Sequence, residues 1–181
     1  MNDLSESALP KGLLADGRPF TRKRIAFRDC DAFGILYNTR YLDYVMDARY
    51  DHLIDYYDMD FLKHHYSGGG MFVIVSHQTS YFEPAKAHED VLISTSTIIA
   101  DAGKMLVEGA ITSLDGKRLK FHQWTRLKVL NPRTGRSSAI SDDELTQLRR
   151  TMSKSEIVDA DDYAGRIISL LQSLKTSGGG G

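Results

Sequence analysis

"NTRYLDYVMDARYDHLIDYY", residues 38 to 57, decides the fold. Tyr41, Val45, Ala48, His52 and Tyr56 recur at spacings of three and four, and Leu42 and Leu53 widen the stripe. This spacing predicts one long amphipathic helix with an apolar face to bury. Asn38 or Thr39 is the residue expected to cap its start. Downstream the period changes to two. "MFVIVSHQTSYFE" (71–83), "DVLISTSTIIA" (90–100), "KMLVEGAITS" (104–113) and "KRLKFHQWTRLKVL" (117–130) read as consecutive strands. Pro84 stops the first, and "DAG" and "LDG" supply tight hairpin turns between the others. Upstream, "TRKRIAFRD" (21–29) alternates apolar and charged residues, with Ile25 and Phe27 on one face and Arg24 and Arg28 on the other. That is the pattern of a half-buried strand. One strand, a long helix and a four-strand meander define an α+β architecture, an antiparallel five-stranded sheet with the helix on its apolar face.

The flanks are plainer. Residues 1–20 are polar and broken by Pro10, Gly12, Gly17 and Pro19, and are expected to form a mobile arm ahead of the main domain, 21–140. "SDDE" at 141–144 is a capping-box pattern that opens a helix to about Met152. A second helix is expected near 162–175, with Ala164, Ile167, Ile168, Leu171 and Leu174 on one side. Together they make a C-terminal helical extension over 141–175, outside the sheet core. Gly68, Gly69 and Gly70 mark a flexible connection, and "TSGGGG" (176–181) reads as a disordered tail.

Composition excludes several classes of function. With 41% hydrophobic and 26% charged residues the chain falls among soluble globular proteins. A net charge of −1 gives no basic excess for generic binding to nucleic acid or an anionic membrane. No apolar run reaches membrane-spanning length. The N-terminus lacks a basic n-region, so no signal peptide is expected. A single cysteine, Cys30, precludes an internal disulfide and suits a reducing compartment, so the cytoplasm is the expected location.

The candidate chemistry lies in "RDCDAFGILYN" (28–38). No phosphate loop, nucleophile elbow or paired-histidine zinc motif is present. His64 and His65 are adjacent and point to different sides of any regular element, so no metal site is expected. Cys30 is flanked by Asp29 and Asp31, which disfavour its thiolate, and reads as a small buried filler. Asp43, Asp47, Asp51 and Asp55 form an i,i+4 row, the mark of a solvated helix face. Asp31 differs because of where it falls. It leaves the strand, and beyond Gly34 the chain enters a helix whose first amides are unpaired donors. A carboxylate and free N–H groups converging there can activate water or attack directly while holding a developing oxyanion. The bland alternative is an aspartate that caps the helix or solvates a turn.

This stretch resembles the signature of the hotdog-fold acyl-CoA thioesterases of the 4-hydroxybenzoyl-CoA thioesterase type. Their pattern, Asp-x-Asp-x-x-Gly, then apolar or aromatic residues, Asn or His, Tyr-Leu and a helix ending in Ala-Arg, falls here on Asp31, Gly34, Asn38, Tyr41, Leu42, Ala48 and Arg49. "SYFEPAKAHEDVLISTSTI" resembles the next strand pair, with Tyr81 and Pro84 in place, and the likeness covers about 21–131. It implies a hotdog fold, the sheet wrapped around the long helix, and hydrolysis of an acyl thioester. Asp31 would be nucleophile or general base, and the amide of Asn38 would polarise the carbonyl. Gly34, Tyr37, Arg40, Tyr41, His77 and Lys104 would lie along the substrate. It implies no metal or cofactor, and a homodimer or homotetramer with the site between subunits.

Three departures qualify the carry-over. Ile35-Leu36-Tyr37-Asn38 replaces a local histidine. Arg40 stands at a frequent small residue or asparagine, free to reach the acyl group or to pair with Asp43. "ADAGK" offers only Lys104 to the nucleotide phosphates, with Arg126, Lys128, Arg133 and Arg136 as other cations. His77 also reads as a satisfied core histidine. Two other functions remain open: cleavage of acyl groups from an acyl carrier protein, whose acidity the Asp43–Asp55 row would oppose, and a non-catalytic hotdog acyl-binding module. The helix near 162–175 exceeds the minimal fold and is expected over the acyl pocket or against another subunit.

Overall fold

The computed structural model describes residues 11–66, 70–101, 103–152 and 161–176. The first half of the expected arm, Gly68 and Gly69, and the tail from 177 lie outside them. Helix α1 runs Asn38–Tyr57, the span that the apolar spacing predicts. Strands β3 (Met71–Tyr81), β4 (Asp90–Ala100), β5 (Lys104–Ser113) and β6 (Leu119–Leu130) follow as expected. A short helix α2, Phe61–Tyr66, precedes β3.

The sheet has six strands rather than five, in the order β1-β2-β4-β5-β6-β3, and every pairing is antiparallel. Residues assigned to the arm supply the addition. β1 (Lys11–Leu13) pairs with β2 (Pro19–Arg24) around a turn in which Gly17 takes φ +81°. Nor is the meander four strands long. β3 joins the free side of β6, and the chain then crosses past β6 and β5 to β4. The strand expected over 21–29 stops at Arg24. Ile25 still pairs with the backbone of Glu89 and His88, and the chain then tightens into a 3-10 turn over Phe27–Asp29.

α1 lies over β2, β4 and β5. Its first half buries Tyr41, Tyr44, Val45 and Ala48 against Val91, Ile93, Ile111 and Phe121; its second half buries Leu53 against Met105, Val107 and Leu127. Gly109 permits this approach, because a Cβ there would overlap the Val45 side chain. Polar bonds fix the helix in register. His52, fully buried, bridges Thr21 Oγ1 (2.9 Å) and Thr95 Oγ1 (2.8 Å), linking α1 to β2 and β4.

The outer face of the sheet, away from α1, carries a second buried system. Glu108 of β5 accepts two hydrogen bonds from Arg166 of helix α4 (Tyr163–Thr176), at 2.7 Å each. It also accepts from Trp124 Nε1 (3.2 Å) and His122 Nε2 (3.0 Å). Burial alone would raise the Glu108 carboxyl, but the bonds and charges of Arg166 and His122 outweigh it and hold the group well below the usual carboxylate range. Tyr163 packs edge-on against Trp124 and donates to the His122 carbonyl. Thus α4 sits on the outer face of its own sheet. Its buried residues are Tyr163, Arg166 and Leu170, whereas Ile168, assigned to the packed side by its apolar character, is 57% exposed. Helix α3, Asp142–Arg150, opens with the predicted capping box between Ser141 and Glu144.

Two outcomes follow for stability. Burial first, then the charge of Arg49, lowers the His52 pKa from 6.5 to about 4. Between those values the unfolded chain binds the proton first, so the His52 contribution is complete above pH 6.5 and declines as pH falls towards 4. At about 1.4 kcal/mol per pH unit the loss is about 3 kcal/mol. Urea melts from pH 7 to 4.5 should therefore fall less steeply for His52→Gln than for wild type. On the outer face, Arg166→Met leaves a buried carboxylate short of its cation and should cost about 3–5 kcal/mol. Adding Glu108→Leu should restore most of that in the same melts.

Candidate active site

The loop from the 3-10 turn to α1 folds back on itself. Cys30 bridges Leu36 in antiparallel fashion, the Asp31 N–H donates to the Ile35 carbonyl (2.8 Å), and the Tyr37 N–H donates to the Asp29 carbonyl (3.0 Å). The acidic segment therefore runs alongside the approach to the helix. Gly34, at φ +73°, makes the reversal, in a backbone conformation that costs side chains other than glycine's. Ile35 bridges Lys86 on the other side, which ties the loop to the segment leading into β4.

The two acids have different partners. Asp29 is largely enclosed: it accepts from Tyr44 Oη at 2.7 Å and lies 3.7 Å from Arg40 Nε. Burial, reinforced by Asp29, pushes the Tyr44 phenol up to about 12, so Tyr44 remains a donor. In Asp31, Oδ1 accepts from the N–H groups of Phe33 (2.9 Å) and Ile35 (3.0 Å). Those bonds are the turn-capping role of the bland alternative, and they also fix the carboxylate in orientation. Its Oδ2 takes no hydrogen bond from the described residues. The Cys30 thiol is pushed up by burial and then by Asp29 and Asp31, and its Sγ points to the Ala26 carbonyl at 3.5 Å, as suits a filler.

Neither Asn38 nor Thr39 caps α1. Tyr37 occupies the N-cap position and makes no side-chain capping bond. The N–H groups of Asn38 and Thr39 consequently find no acceptor among the described residues, and a 20-residue helix aligns its dipole behind them. The Asn38 carbonyl accepts from Tyr81 Oη at 3.1 Å, which brings the end of β3 to the helix start.

The other expected site residues separate. Gly34, Tyr37 and Arg40 share the loop with Asp31 and Asn38. Arg40 pairs with Asp43 (2.9 Å) as well as approaching Asp29, so its charge is engaged by acids. Tyr41 is 3% exposed, with its hydroxyl accepting from the Ala85 N–H and its ring against Tyr81 and Phe121; it belongs to the core rather than to a substrate surface. Lys104 stands near the end of the sheet that packs the C-terminal half of α1, 3.7 Å from Asp101, and does not reach the Asp31 loop within the protomer. His77 lies on the exposed edge strand β3 and not in the core; its Nδ1 bonds Thr125 Oγ1 (2.9 Å), and burial of the ring lowers its pKa. Sequence reasoning missed Thr125 and Gln123, which follow from β3 lying beside β6 with Thr79 opposite Gln123 and His77 opposite Thr125. No group of three or more acidic, histidine or cysteine side chains suited to a metal occurs among the described residues.

The chain belongs to the thioesterase-like superfamily, whose profile matches residues 25–148. No curated protein matches the sequence. Among solved structures, a Staphylococcus aureus protein in complex with CoA superposes with a TM-score of 0.70 at 13% identity, over 83% of this chain and 94% of that one. A 1,4-dihydroxy-2-naphthoyl-CoA thioesterase from Synechocystis gives 0.64 at 15% identity, over 72% and 94%. A Pseudomonas aeruginosa protein gives 0.65 at 20%, over 81% and 100%. At such identities the likenesses establish the fold. β1, β2 and α4 lie wholly outside the family match.

The bond from Tyr44 secures the loop that carries Asp31. Tyr44→Phe should cost about 1–3 kcal/mol, because it leaves the enclosed Asp29 oxygen and the Ala26 N–H without that hydroxyl. Thermal melts against wild type measure it.

Proposed function

We propose that the protein is an acyl-CoA thioesterase, with Asp31 as nucleophile or general base and the Asn38 N–H polarising the thioester carbonyl. The observation that carries this reading is the Asp31 carboxylate. One oxygen is held by two backbone amides and the other is free, in a loop running beside an uncapped helix start. Free helix-terminal amides favour the oxyanion that forms when the carbonyl is attacked. Thiolate leaves readily, so a carboxylate and one or two donors suffice. Gly34 and Tyr37 would shape the entrance, and Phe33 and Tyr37, 88% and 53% exposed, give it an apolar rim.

The same reading makes the protein a homodimer, or a pair of dimers. β3 has no neighbour on its outer side and exposes Ile74, Val75 and Tyr81; an unpaired apolar edge of eleven residues favours pairing with a second copy. Such pairing would bring a second chain's edge beside His77. For the nucleotide phosphates, Lys104 gives way to cations near the loop: Lys23, Arg24, Arg28 and Arg40 line an open cleft of about 530 Å³ beside Asp29. Asp43 and Asp47 share the cleft and would repel an acidic carrier protein, which supports CoA over such a carrier. The lone cysteine, a free thiol, suits the cytoplasm.

Release of CoA thiol from acetyl-, hexanoyl-, palmitoyl-, benzoyl- and phenylacetyl-CoA tests the proposal. Wild type should turn over at least one of them, and Asp31→Asn should lower kcat by about 10²–10⁴-fold with the fold intact by circular dichroism. Acyl-CoA bound tightly by both proteins and hydrolysed by neither would instead identify a binding module.

A further inference from the structure

α1 packs chiefly over β2, β4 and β5 and meets β6 in the cores that hold Phe121 and Leu127. Between α1, α2 and strands β5 and β6 lies a cavity of about 90 Å³. Met46, Tyr50 and Leu53 of α1 form one wall, and Phe61, Val107 and Leu127 another. Thr125 is the polar residue of the sheet wall, and its hydroxyl is already engaged by His77 Nδ1 (2.9 Å) and Gln123 Nε2 (3.1 Å). Arg49 also borders the cavity, but it turns its guanidinium towards Thr97 Oγ1 (2.6 Å) and Thr151 Oγ1 (3.3 Å).

We propose, resting on the thioesterase reading, that this cavity receives the far end of the acyl group and selects an unbranched aliphatic chain over an aryl group. Three features carry it. The first is size: a cavity of roughly 150 Å³ takes a benzene ring, and this one is smaller. It fits the end of an alkyl chain, not a ring. The second is chemistry. The lining surface is almost wholly apolar, because Arg49 turns its guanidinium to Thr97 and Thr151 and Thr125 is already bonded. An alkyl end is matched there better than one bearing a carboxylate or hydroxyl. The third is distance. Met46 lies eight residues along α1 from Asn38, about 12 Å at 1.5 Å per residue, and Leu53 lies fifteen residues along, about 22 Å. An extended chain advances about 1.2 Å per bond, as in a fully extended backbone with three bonds per residue. A chain anchored by its carbonyl at Asn38 thus needs about ten bonds to enter the cavity and about eighteen to reach its far wall. Dodecanoyl and its neighbours fall in that interval, whereas hexanoyl and benzoyl stop short.

The test pairs hydrolysis with binding. CoA thiol release is measured for hexanoyl-, dodecanoyl-, palmitoyl- and benzoyl-CoA, and binding of free dodecanoate and benzoate is followed by calorimetry on the same proteins. Wild type should favour dodecanoyl- over both other thioesters by about tenfold or more in kcat/KM, since each added buried methylene counts. Met46→Trp, which fills the near wall, should abolish that preference and weaken dodecanoate binding. Phe61→Ala, on a separate element, should move the preference towards palmitoyl-CoA and stands in should the tryptophan variant fail to fold. Benzoyl-CoA cleaved as well as dodecanoyl-CoA, or a preference unmoved by both variants, would overturn the assignment. If wild type hydrolyses no thioester, the thioesterase reading fails by itself. The cavity is then judged by dodecanoate alone: binding weakened by Met46→Trp upholds it, and no binding overturns it.

Discussion

The seat of Val45 on the bare backbone of Gly109 sets the position of everything around it. A side chain at 109 would lift α1 from β5, and the inner-face core of Ile93, Ile111 and Phe121 would lose its cover. With the helix held down on β2, β4 and β5, Met46, Tyr50 and Leu53 face Met105, Val107, Thr125 and Leu127 across the cavity. The cavity therefore owes its position to one close contact elsewhere on the same helix.

Buried polar groups are handled differently on the two faces of the sheet. On the outer face Glu108 collects Arg166, His122 and Trp124, so its charge is matched and α4 is fastened to its own protomer. This places α4 on the face of the sheet opposite the cavity beside α1, so of the two positions expected for it, over the acyl pocket or against another subunit, the first is not taken within the protomer. On the inner face Arg49 has no carboxylate beside it. It bonds two threonines, while its Nε and Nη1 find no partner among the described residues, and burial lowers its pKa to about 10. An incompletely paired cation in a core lowers stability, so its position under α1 serves the specificity of helix placement more than its strength. His52, bonded through both ring nitrogens, supplies the complementary neutral contact one turn away.

Much of this was legible in the residues, and the failures share a cause. The bounds of α1 and of the long strands follow from periodicity, which reports how a segment alternates between faces. Periodicity does not report neighbours. It could not place β3 beside β6, and so could not bring His77 to Thr125 or show that His77 lies on an open edge. Three-residue β1 is too short to show any period, and its pairing depends on the turn at Gly17. In α4 the apolar residues indicated a face that includes Ile168, but burial follows Arg166, drawn inward by Glu108 from a strand nearly sixty positions earlier. Tyr41 was misplaced for a related reason: a motif shows that a residue recurs, not whether it meets substrate or supports the backbone that does. Its hydroxyl bonds Ala85 and thereby holds the loop from β3 to β4 against the helix start.

In the Asp31 loop the turn-capping reading is met and the proposed chemical one is left room. An aspartate that caps a turn needs only one carboxylate oxygen to do so, and Oδ1 takes both amides. That bonding fixes the side chain and leaves Oδ2 without a hydrogen bond from the described residues, as the proposed role of Asp31 requires. Asp29, two positions earlier, is consumed by Tyr44 and Arg40 and anchors the loop instead. The division of labour between the two acids arises from the 3-10 turn, which interrupts the alternation of the strand and sends Asp29 towards α1 while Asp31 enters the reversal at Gly34. The helix that supplies the free amides at Asn38 is also the wall along which the cavity lies. The same twenty residues thus supply both the uncapped amides and one wall of the cavity.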